Sequence, residues 1–293
     1  MRVILATDGS GPSRAAMEFL LRLKFEPEDR FIILHVLKEF VVPDTIDPNR
    51  EFSKAGKAGA MKLVLEVADK FRAAGLGATE AVREGDPATE VVEALEEFDA
   101  DLAVMGHKGH TDFHRFLLGS VSQHVLRQGK RSVLIVRDTP PAGRPMKVLY
   151  CTDGSTHARF ARDLFMKLPF PPDTEVDVLS VVDMQVTSLP EQYSPASETS
   201  TMMAELRLHL IQMAEGYVIE DAKVLRDRFK TVREHVTVGV PEAEILSATD
   251  EMNSDLTVMG SAGMHGLRGV LIGDVSQRVV KHARGSVLVG KMR

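Results

Sequence analysis

The sequence predicts an α/β protein made of two tandem doubly wound, Rossmann-like domains with mostly parallel sheets. The chain has 293 residues, about twice the roughly 150 residues expected of one domain. The segment VILATDGS at 3–10 recurs as VLYCTDGS at 148–155. Short β-branched runs alternate with stretches of helical spacing, which is typical of crossovers in a parallel sheet. We therefore expect one domain at 1–138, a Pro-containing linker at 139–146 and a second domain at 147–293.

The repeat extends through the first helix and most of each half. Positions 3 and 148 differ by 145, and in that register an apolar helical stripe occurs twice, as Ala16, Phe19, Leu20 and Leu23 and as Ala161, Leu164, Phe165 and Leu168. From Gly85 onward the matching residue lies 154 positions later, starting with Gly239. The nine additional residues of the second copy fall in the polar, Pro- and Ser-rich stretch at 186–201, which predicts a loop.

Four apolar runs in each copy predict buried strands of a parallel sheet. They are VILA, RFIILHV, ADLAVMG and SVLIV in the first copy and VLYC, VDVLSVV, SDLTVMG and SVLVG in the second. Helical patterns between the runs predict helices that include 58–74 and 202–229. A strand followed by a helix and a parallel strand makes a right-handed crossover, so each copy is expected to form its own sheet with helices on both faces.

Composition excludes several classes of function. The net charge is −6, and aromatic residues make up 5% of the chain with no Trp, so neither a basic field for nucleic-acid phosphates nor a base-stacking platform is expected. No apolar run approaches the roughly 20 residues of a membrane span, and we expect no signal peptide before the first strand. The single cysteine, Cys151, aligns with Ala6 and is expected to be a small buried residue. We expect a cytoplasmic protein that binds neither nucleic acid nor membrane.

Two groups of small and polar residues follow predicted strands, where doubly wound sheets bind their ligands. Thr7 to Ser10 come after the first strand. Gly106 and Gly109 come after the fourth, and Gly119 and Ser120 follow nine residues later at the start of a helix. Glycines let backbone amides approach an anion closely, and the free amides of a helix N-terminus carry about half a positive charge. This pattern predicts a site for a phosphate-bearing ligand.

The pattern G-x2-G-x9-G-[S/T] and the opening strand followed by Thr7-Asp8 resemble the ATP-binding branch of the universal stress protein family. The resemblance spans both halves and implies a tandem member with five-stranded sheets, a cytoplasmic stress-response role and ATP as ligand, with or without Mg²⁺. It also implies that the base lies near the ends of the first two strands and that the phosphates follow the glycine loop. The implied nucleotide-binding residues are Ala6, Thr7, Asp8, Val36, Gly106, Gly109, Gly119, Ser120, Val121 and Ser122.

Ser120, Asp8 and the glycines also have a purely structural interpretation. Ser120 with Gln123 fits a capping box, whereas in the nucleotide interpretation the Ser120 hydroxyl donates to a phosphate oxygen. Asp8 and its repeat Asp153 fit turns that their own carboxylates stabilise, whereas a ligand would use the Asp8 carboxylate as an acceptor for ribose or base. The glycines could serve packing alone.

The second copy predicts a weaker site, comprising Thr152, Asp153, Gly260, Gly263 and Gly273. Here Asp274 stands where the pattern has Ser or Thr, and with Gln277 it fits an N-cap. A carboxylate about 4 Å from a phosphate oxygen costs about 4 kcal/mol at an effective dielectric near 20. A helix N-terminus returns only about 0.3 to 2 kcal/mol. We therefore expect nucleotide mainly in the N-terminal domain.

Charged residues and histidines also distinguish the two loops. Lys108 and Arg115 lie in the first, whereas the second offers only Arg268, which is one position earlier relative to its own glycines. The histidines are His107, His110 and His114 in the first loop and His265 in the second. We expect exposed histidines rather than metal ligands, because a glycine-rich loop does not hold them on one face. If they approach the phosphates, nucleotide affinity should rise as the pH falls toward 6.

Binding is expected rather than turnover. The chain has no P-loop motif, and its spacing assigns neither a catalytic residue nor a metal site. A regulatory protein whose loops respond to nucleotide, acting on an unidentified protein partner, is the first hypothesis. A slow ATP-hydrolysing or adenylyl-transferring enzyme and a ligand-free assembly module are the alternatives. The family resemblance also implies an internal pseudo-dimer through the strands at 132–136 and 286–290, which would protect both strand edges, and leaves a homodimer open.

Overall fold

A computed structural model describes residues 1–38, 51–109, 118–139, 142–183, 198–263 and 271–292. The chain divides into two compact units, the first comprising Met1–Pro141 with Lys291–Arg293 and the second Ala142–Gly290. The expected boundaries at 138, 139–146 and 147 remain a prediction. Within the described ranges, no helix combines the length and apolar character that crossing a bilayer requires.

The first unit is a five-stranded parallel sheet with helices between its strands. The strands are β1 (Arg2–Ala6), β2 (Arg30–Leu37), β3 (Gly77–Glu84), β4 (Leu102–Gly106) and β5 (Ser132–Val136). The helices are α1 (Gly11–Arg22), α2 (Glu51–Ala73), α3 (Pro87–Glu97) and α4 (Ser120–Gln128). Every neighbouring pair is parallel, in the order β3-β2-β1-β4-β5. The order reverses between β1 and β4, which is where such sheets bind ligands.

The second unit repeats this arrangement. Its strands are β6 (Lys147–Cys151), β7 (Glu175–Asp183), β8 (Thr231–Gly239), β9 (Leu256–Gly260) and β10 (Ser286–Gly290). Its described helices are α5 (Thr156–Lys167), α6 (Glu198–Arg226), α7 (Pro241–Glu251) and α8 (Asp274–His282). The parallel order is β8-β7-β6-β9-β10, with the reversal between β6 and β9. The predicted class, two tandem doubly wound α/β domains with parallel sheets, is confirmed.

The predicted helical stripes pack into the core of each unit. All eight residues of the two stripes are buried. Aromatic contacts add to this packing, since the rings of Phe31 and Phe71 have centroids 4.6 Å apart and Phe165 stacks on Phe229 at 5.0 Å. These contacts hold α1, α2 and α5 against their sheets, so the carboxyl ends of the strands have fixed positions.

Some element boundaries differ from the predictions. The helix expected at 58–74 begins earlier, at Glu51, and the one expected at 202–229 spans Glu198–Arg226. Residues 198–201 of the expected loop at 186–201 therefore belong to α6, and the part up to 197 lies outside the described residues. The strands β3 and β8 have no predicted counterpart among the apolar runs, because their burial pattern is mixed rather than continuous.

Candidate functional site

The turn after β1 holds Asp8 in a fixed orientation. Thr7 continues the β1 ladder by donating its amide to Leu34 O at 2.8 Å. The Oδ1 atom of Asp8 then accepts the Ser10 amide at 3.0 Å, and Ser10 caps α1 by accepting the Ser13 amide. Gly9 between them has φ +75°, a conformation that side chains disfavour. The interpretation of Asp8 as a turn-stabilising residue is confirmed.

Two hydrogen bonds tie the end of β4 and the loop after it to the start of α4, and a third ties the loop to β5. The His107 amide donates to Val136 O at 2.9 Å, and the Gly119 amide donates to His107 O at 2.7 Å. The buried Ser122 hydroxyl donates to Gly106 O at 2.8 Å. Ser122, a predicted phosphate contact, thus uses its hydroxyl inside the protein. The bonds bring the first turn of α4 to the end of β4.

Two glycines of this loop are in contact with the region after β1. A Cβ on Gly106 would lie 2.6 Å from the carbonyl carbon of Pro12 in α1. A Cβ on Gly109 would lie 2.6 Å from Asp8 Oδ2. Both approaches are too close for any side chain. The sequence-predicted residues Asp8, Gly106 and Gly109 therefore come together, and the packing interpretation of the glycines holds as well.

Helix α4 begins without a side-chain cap. Its N-cap is Gly119, with φ −64° and no side-chain hydrogen bond, and Ser120 is the first helical residue. The capping box predicted for Ser120 and Gln123 is therefore wrong, because a cap must precede the first helical residue. The Ser120 side chain is exposed and Val121 is half-buried. Helix amides without a side-chain acceptor at the end of a central strand suit an anion.

The predicted base-contacting residues lie on the adjoining strand ends. Ala6 is the last residue of β1 and Val36 lies near the end of β2, both half-buried. Thr7 is buried and donates its hydroxyl to Ser13 Oγ at 3.2 Å, while its carbonyl oxygen lies 2.7 Å from His35 Nδ1. The Thr7 side chain is thus engaged inside the protein.

His107 differs from the expectation of exposed histidines. Its side chain is buried, with 8% relative exposure, and its Nδ1 atom has no hydrogen-bond partner among the described residues. Burial, aided by the positive charges of Arg137 and Lys108, lowers the pKa of His107 to about 4. The expectation is therefore wrong for His107, which stays neutral near pH 7. His110, His114, Arg115, His265 and Arg268 lie outside the described residues.

The second unit repeats the contacts of the first. Asp153 Oδ1 accepts the Ser155 amide at 3.0 Å, and a Cβ on Gly263 would lie 2.8 Å from Asp153 Oδ2. A Cβ on Gly260 would lie 2.7 Å from the His157 carbonyl carbon. Thr152 is buried like Thr7. The residues predicted for the weaker second site therefore meet as their counterparts do.

The start of α8 differs from the start of α4, because it has an acidic residue, Asp274, in place of Ser120. Gly273 is its N-cap, with no side-chain cap, and Asp274 is the first helical residue. The N-cap role predicted for Asp274 is therefore wrong. Its side chain is exposed at the position that Ser120 occupies in the first unit. A carboxylate there adds negative charge where a phosphate would approach the helix.

A cavity of about 720 Å³ lies in the second unit beside these residues. Its lining includes the turn after β6, the loop after β9 and the start of α8. Other walls come from α6, with Met213 and Tyr217, and from the end of β7, with Asp183. The sequence predictions missed Tyr217 and Asp183. The repeat offsets align these residues with Leu63 and Lys38 of the first copy. The described part of the chain has no group of three or more metal-binding side chains.

Comparisons with known proteins agree across both halves. A family model described as the universal stress protein family matches residues 1–137 and again 145–291. A universal stress protein of Mycolicibacterium smegmatis is 23% identical over 301 residues, covering 99% of this chain and 97% of the relative. One from Methanocaldococcus jannaschii is 31% identical over 141 residues, covering 46% of this chain and 81% of the relative. The crystal structure of a universal stress protein from Archaeoglobus fulgidus is 26% identical with a TM-score of 0.67, covering 99% and 98% of the two chains.

Proposed function

The chain belongs to the universal stress protein family, with one family domain in each half, and on that premise we propose that it is a regulatory protein that binds ATP mainly in its first unit. The proposal covers ATP both as its Mg²⁺ complex and without the metal. The nucleotide orders the loop after β4 and thereby changes the surface offered to a protein partner. The proposed setting is the cytoplasm, in the response of a cell to stress.

One observation carries this proposal. The loop after β4, the turn after β1 and the uncapped start of α4 meet at the point where the strand order of the first unit reverses. Gly109 lies against Asp8 with no room for a side chain. Backbone amides can approach an anion closely in such a loop, and the N-terminal end of α4 favours negative charge.

The residues present fit a nucleotide. We assign the phosphates to the loop glycines and to the first turn of α4, where the amides of Ser120, Val121 and Ser122 face no side-chain cap. The exposed Ser120 hydroxyl donates to a phosphate oxygen. Lys108, half-buried in the loop, adds positive charge. The Ser122 hydroxyl is excluded from this role, because it donates to Gly106 O.

The base and ribose are assigned to the ends of β1 and β2. Ala6 and Val36 supply half-buried apolar surface there. The Asp8 carboxylate, which the turn after β1 holds in place, is the acceptor for a ribose hydroxyl or a base amino group. The second unit holds ATP weakly, because Asp274 stands at the start of α8 and its charge opposes phosphate.

Isothermal titration calorimetry of the full chain with ATP, with and without Mg²⁺, tests the proposal. We expect one tight site per chain, which Gly109→Val removes by driving a side chain into Asp8. The control is Gly59→Ala, because a Cβ on Gly59 meets nothing within 4 Å. Mass spectrometry of nucleotide released from the purified protein provides an independent check. Two equal sites, or a site that Gly109→Val leaves intact, would contradict the proposal.

A further inference from the structure

The second unit contains a cavity whose lining suits a less negatively charged ligand than the ATP proposed for the first unit. We propose that this cavity binds an uncharged nucleoside, that is, a base and sugar without phosphate. The inference rests on the proposed function, because it takes the cavity as the counterpart of the nucleotide site in the first unit. Its volume of about 720 Å³ falls within the range of about 300 to 1,000 Å³ typical of small-molecule sites.

The lining is acidic. Among the described residues around the cavity, Asp153, Asp183 and Asp274 carry carboxylates, and none is Lys, Arg or His. Asp153 belongs to the turn after β6, Asp183 ends β7 and Asp274 begins α8. A ligand with three or four negative charges would enter against this field, whereas an uncharged ligand would not.

Comparison of the repeats identifies where this charge arises. The offset of 145 aligns Asp183 with Lys38, and the offset of 154 aligns Ala262 with Lys108. Each exchange makes the second copy less positive than the first at a corresponding position. Together with Asp274 in place of Ser120, these exchanges make three positions of the second copy less favourable to phosphate and leave the Asp of the turn in place.

The second copy has an aromatic residue, Tyr217, where the first copy has Leu63. A Cβ on Gly154 would lie 2.5 Å from the Tyr217 ring, so the ring packs directly on the turn after β6. The corresponding neighbour of Gly9 in the first copy is Leu63. Tyr217 also lines the cavity. An aromatic side chain offers a base a stacking surface that leucine lacks.

The remaining lining suits the two parts of a nucleoside. Apolar side chains from three elements, including Val181, Met213 and Ile245, line the cavity and can cover a planar base. The carboxylates of the lining are the acceptors for sugar hydroxyls and for an amino group. A nucleoside provides these donors without the charge that the carboxylates oppose.

Calorimetry with adenosine and ATP as the two probes tests the inference on the full chain. Gly109→Val, or Ser120→Asp as a second variant, is used to block the first unit. In either background we expect adenosine to bind at one site per chain and ATP to bind at least about tenfold more weakly. Tyr217→Leu, which introduces the residue of the first copy, should weaken adenosine binding about tenfold. Tyr217→Phe keeps the ring and serves as the matched control.

The outcomes separate this inference from the proposed function. ATP that binds the second unit as tightly as adenosine overturns the inference, as does adenosine binding that Tyr217→Leu leaves unchanged. Adenosine that binds only when the first unit is intact also overturns it. Failure of ATP to bind the unmodified chain contradicts the proposed function alone, if adenosine still binds in a Tyr217-dependent way.

Discussion

Asp8 Oδ2 lies 2.6 Å from the position that a Cβ on Gly109 would occupy, and Asp153 stands at 2.8 Å in the same relation to Gly263. The loop after the fourth strand can approach the turn after the first only because a glycine stands at this point. The same relation in both units, whose helix starts differ in charge, indicates that the contact is part of the fold. Ligand selection must then depend on the residues around it.

This contact predicts that the two positions are energetically coupled. Gly109→Ala should lower the free energy of unfolding by about 1 to 3 kcal/mol, because the added methyl group meets the Asp8 carboxylate. In an Asp8→Ala background the same change should cost about 1 kcal/mol less, since the obstructing oxygen is gone. Urea denaturation of the four chains measures the coupling.

A control for this cycle is available in the same unit. Gly59→Ala places a methyl group in open space on α2, where alanine is favoured over glycine by about 1 kcal/mol. It should therefore leave stability unchanged or raise it. An equal cost of Gly109→Ala in both backgrounds would show that the contact has no energetic consequence.

The sequence was informative about the fold where strands are buried on both faces. The runs that contain β1, β4 and β5 are continuous and apolar, and the repeat placed their counterparts in the second unit. By contrast β3, with the sequence GATEAVRE, is half-buried at one end of the sheet order. A strand with a partner on one side only needs no continuous apolar pattern, so its presence followed from the family resemblance.

The site was predictable where backbone geometry restricts residue type. Gly106, Gly109 and Asp8 were identified because glycine and aspartate follow strand ends in both copies. Tyr217 could not be identified from its own surroundings, because it lies in the middle of α6, where an aromatic residue usually indicates core packing. The neutral state of His107 depends on burial among residues from β5 and the loop, which local sequence does not indicate.

Burial of His107 predicts a loss of stability in acid. The unfolded chain titrates this residue near 6.5, whereas the folded protein does so at about 4. As the pH falls from 6.5 toward 4 the unfolded state takes up a proton that the folded state does not, so the free energy of unfolding decreases. At about 1.4 kcal/mol per pH unit the decrease reaches about 3 kcal/mol.

His107→Gln isolates this contribution. Urea denaturation at pH 7 and at pH 4.5 should show a smaller acid loss for the variant than for the unmodified chain. Between pH 6 and 8, where His107 is neutral, its charge should not alter nucleotide affinity. Equal acid losses in the two chains would indicate that His107 is not the group responsible.

A buried polar cluster in the second unit leads to a third prediction. The Tyr150 hydroxyl lies 3.0 Å from Asp221 Oδ2, and Arg162 donates to Asp221 Oδ1 at 2.6 Å. Asp221 is 2% exposed. Asp221→Val leaves Arg162 with Asp163, an exposed carboxylate 2.7 Å away, as its remaining ion-pair partner, so the change should cost about 1 to 3 kcal/mol of unfolding free energy.

The first unit supplies the matched replacement for this cluster. The repeat offsets align Tyr150, Arg162 and Asp221 with Leu5, Met17 and Val67, which are all buried. The triple variant Tyr150→Leu, Arg162→Met and Asp221→Val should be near neutral or more stable by about 1 to 4 kcal/mol, because it leaves no buried charge unpaired and the Asp163 carboxylate that loses Arg162 is exposed. Thermal and urea unfolding of both variants make the comparison. A triple variant less stable than Asp221→Val alone would contradict this account.

Asp274 sets the difference in ATP affinity between the two units in our proposal, and its replacement tests that role directly. The residue is exposed and begins α8, so its charge acts through partly hydrated surroundings and is screened by salt. Asp274→Ser, which restores the residue type of the first copy, should raise the ATP affinity of the second unit about tenfold or more at low salt. The gain should shrink as salt increases, which a purely steric effect would not do.

Asp173→Ser is the control for this prediction. It removes the same charge from an exposed position away from the cavity lining, and it should leave ATP binding unchanged. Calorimetry in a Gly109→Val background measures ATP binding at the second site only. If the ATP affinity is the same with aspartate and with serine at position 274, the difference between the units must come from Lys108 or Asp183 instead.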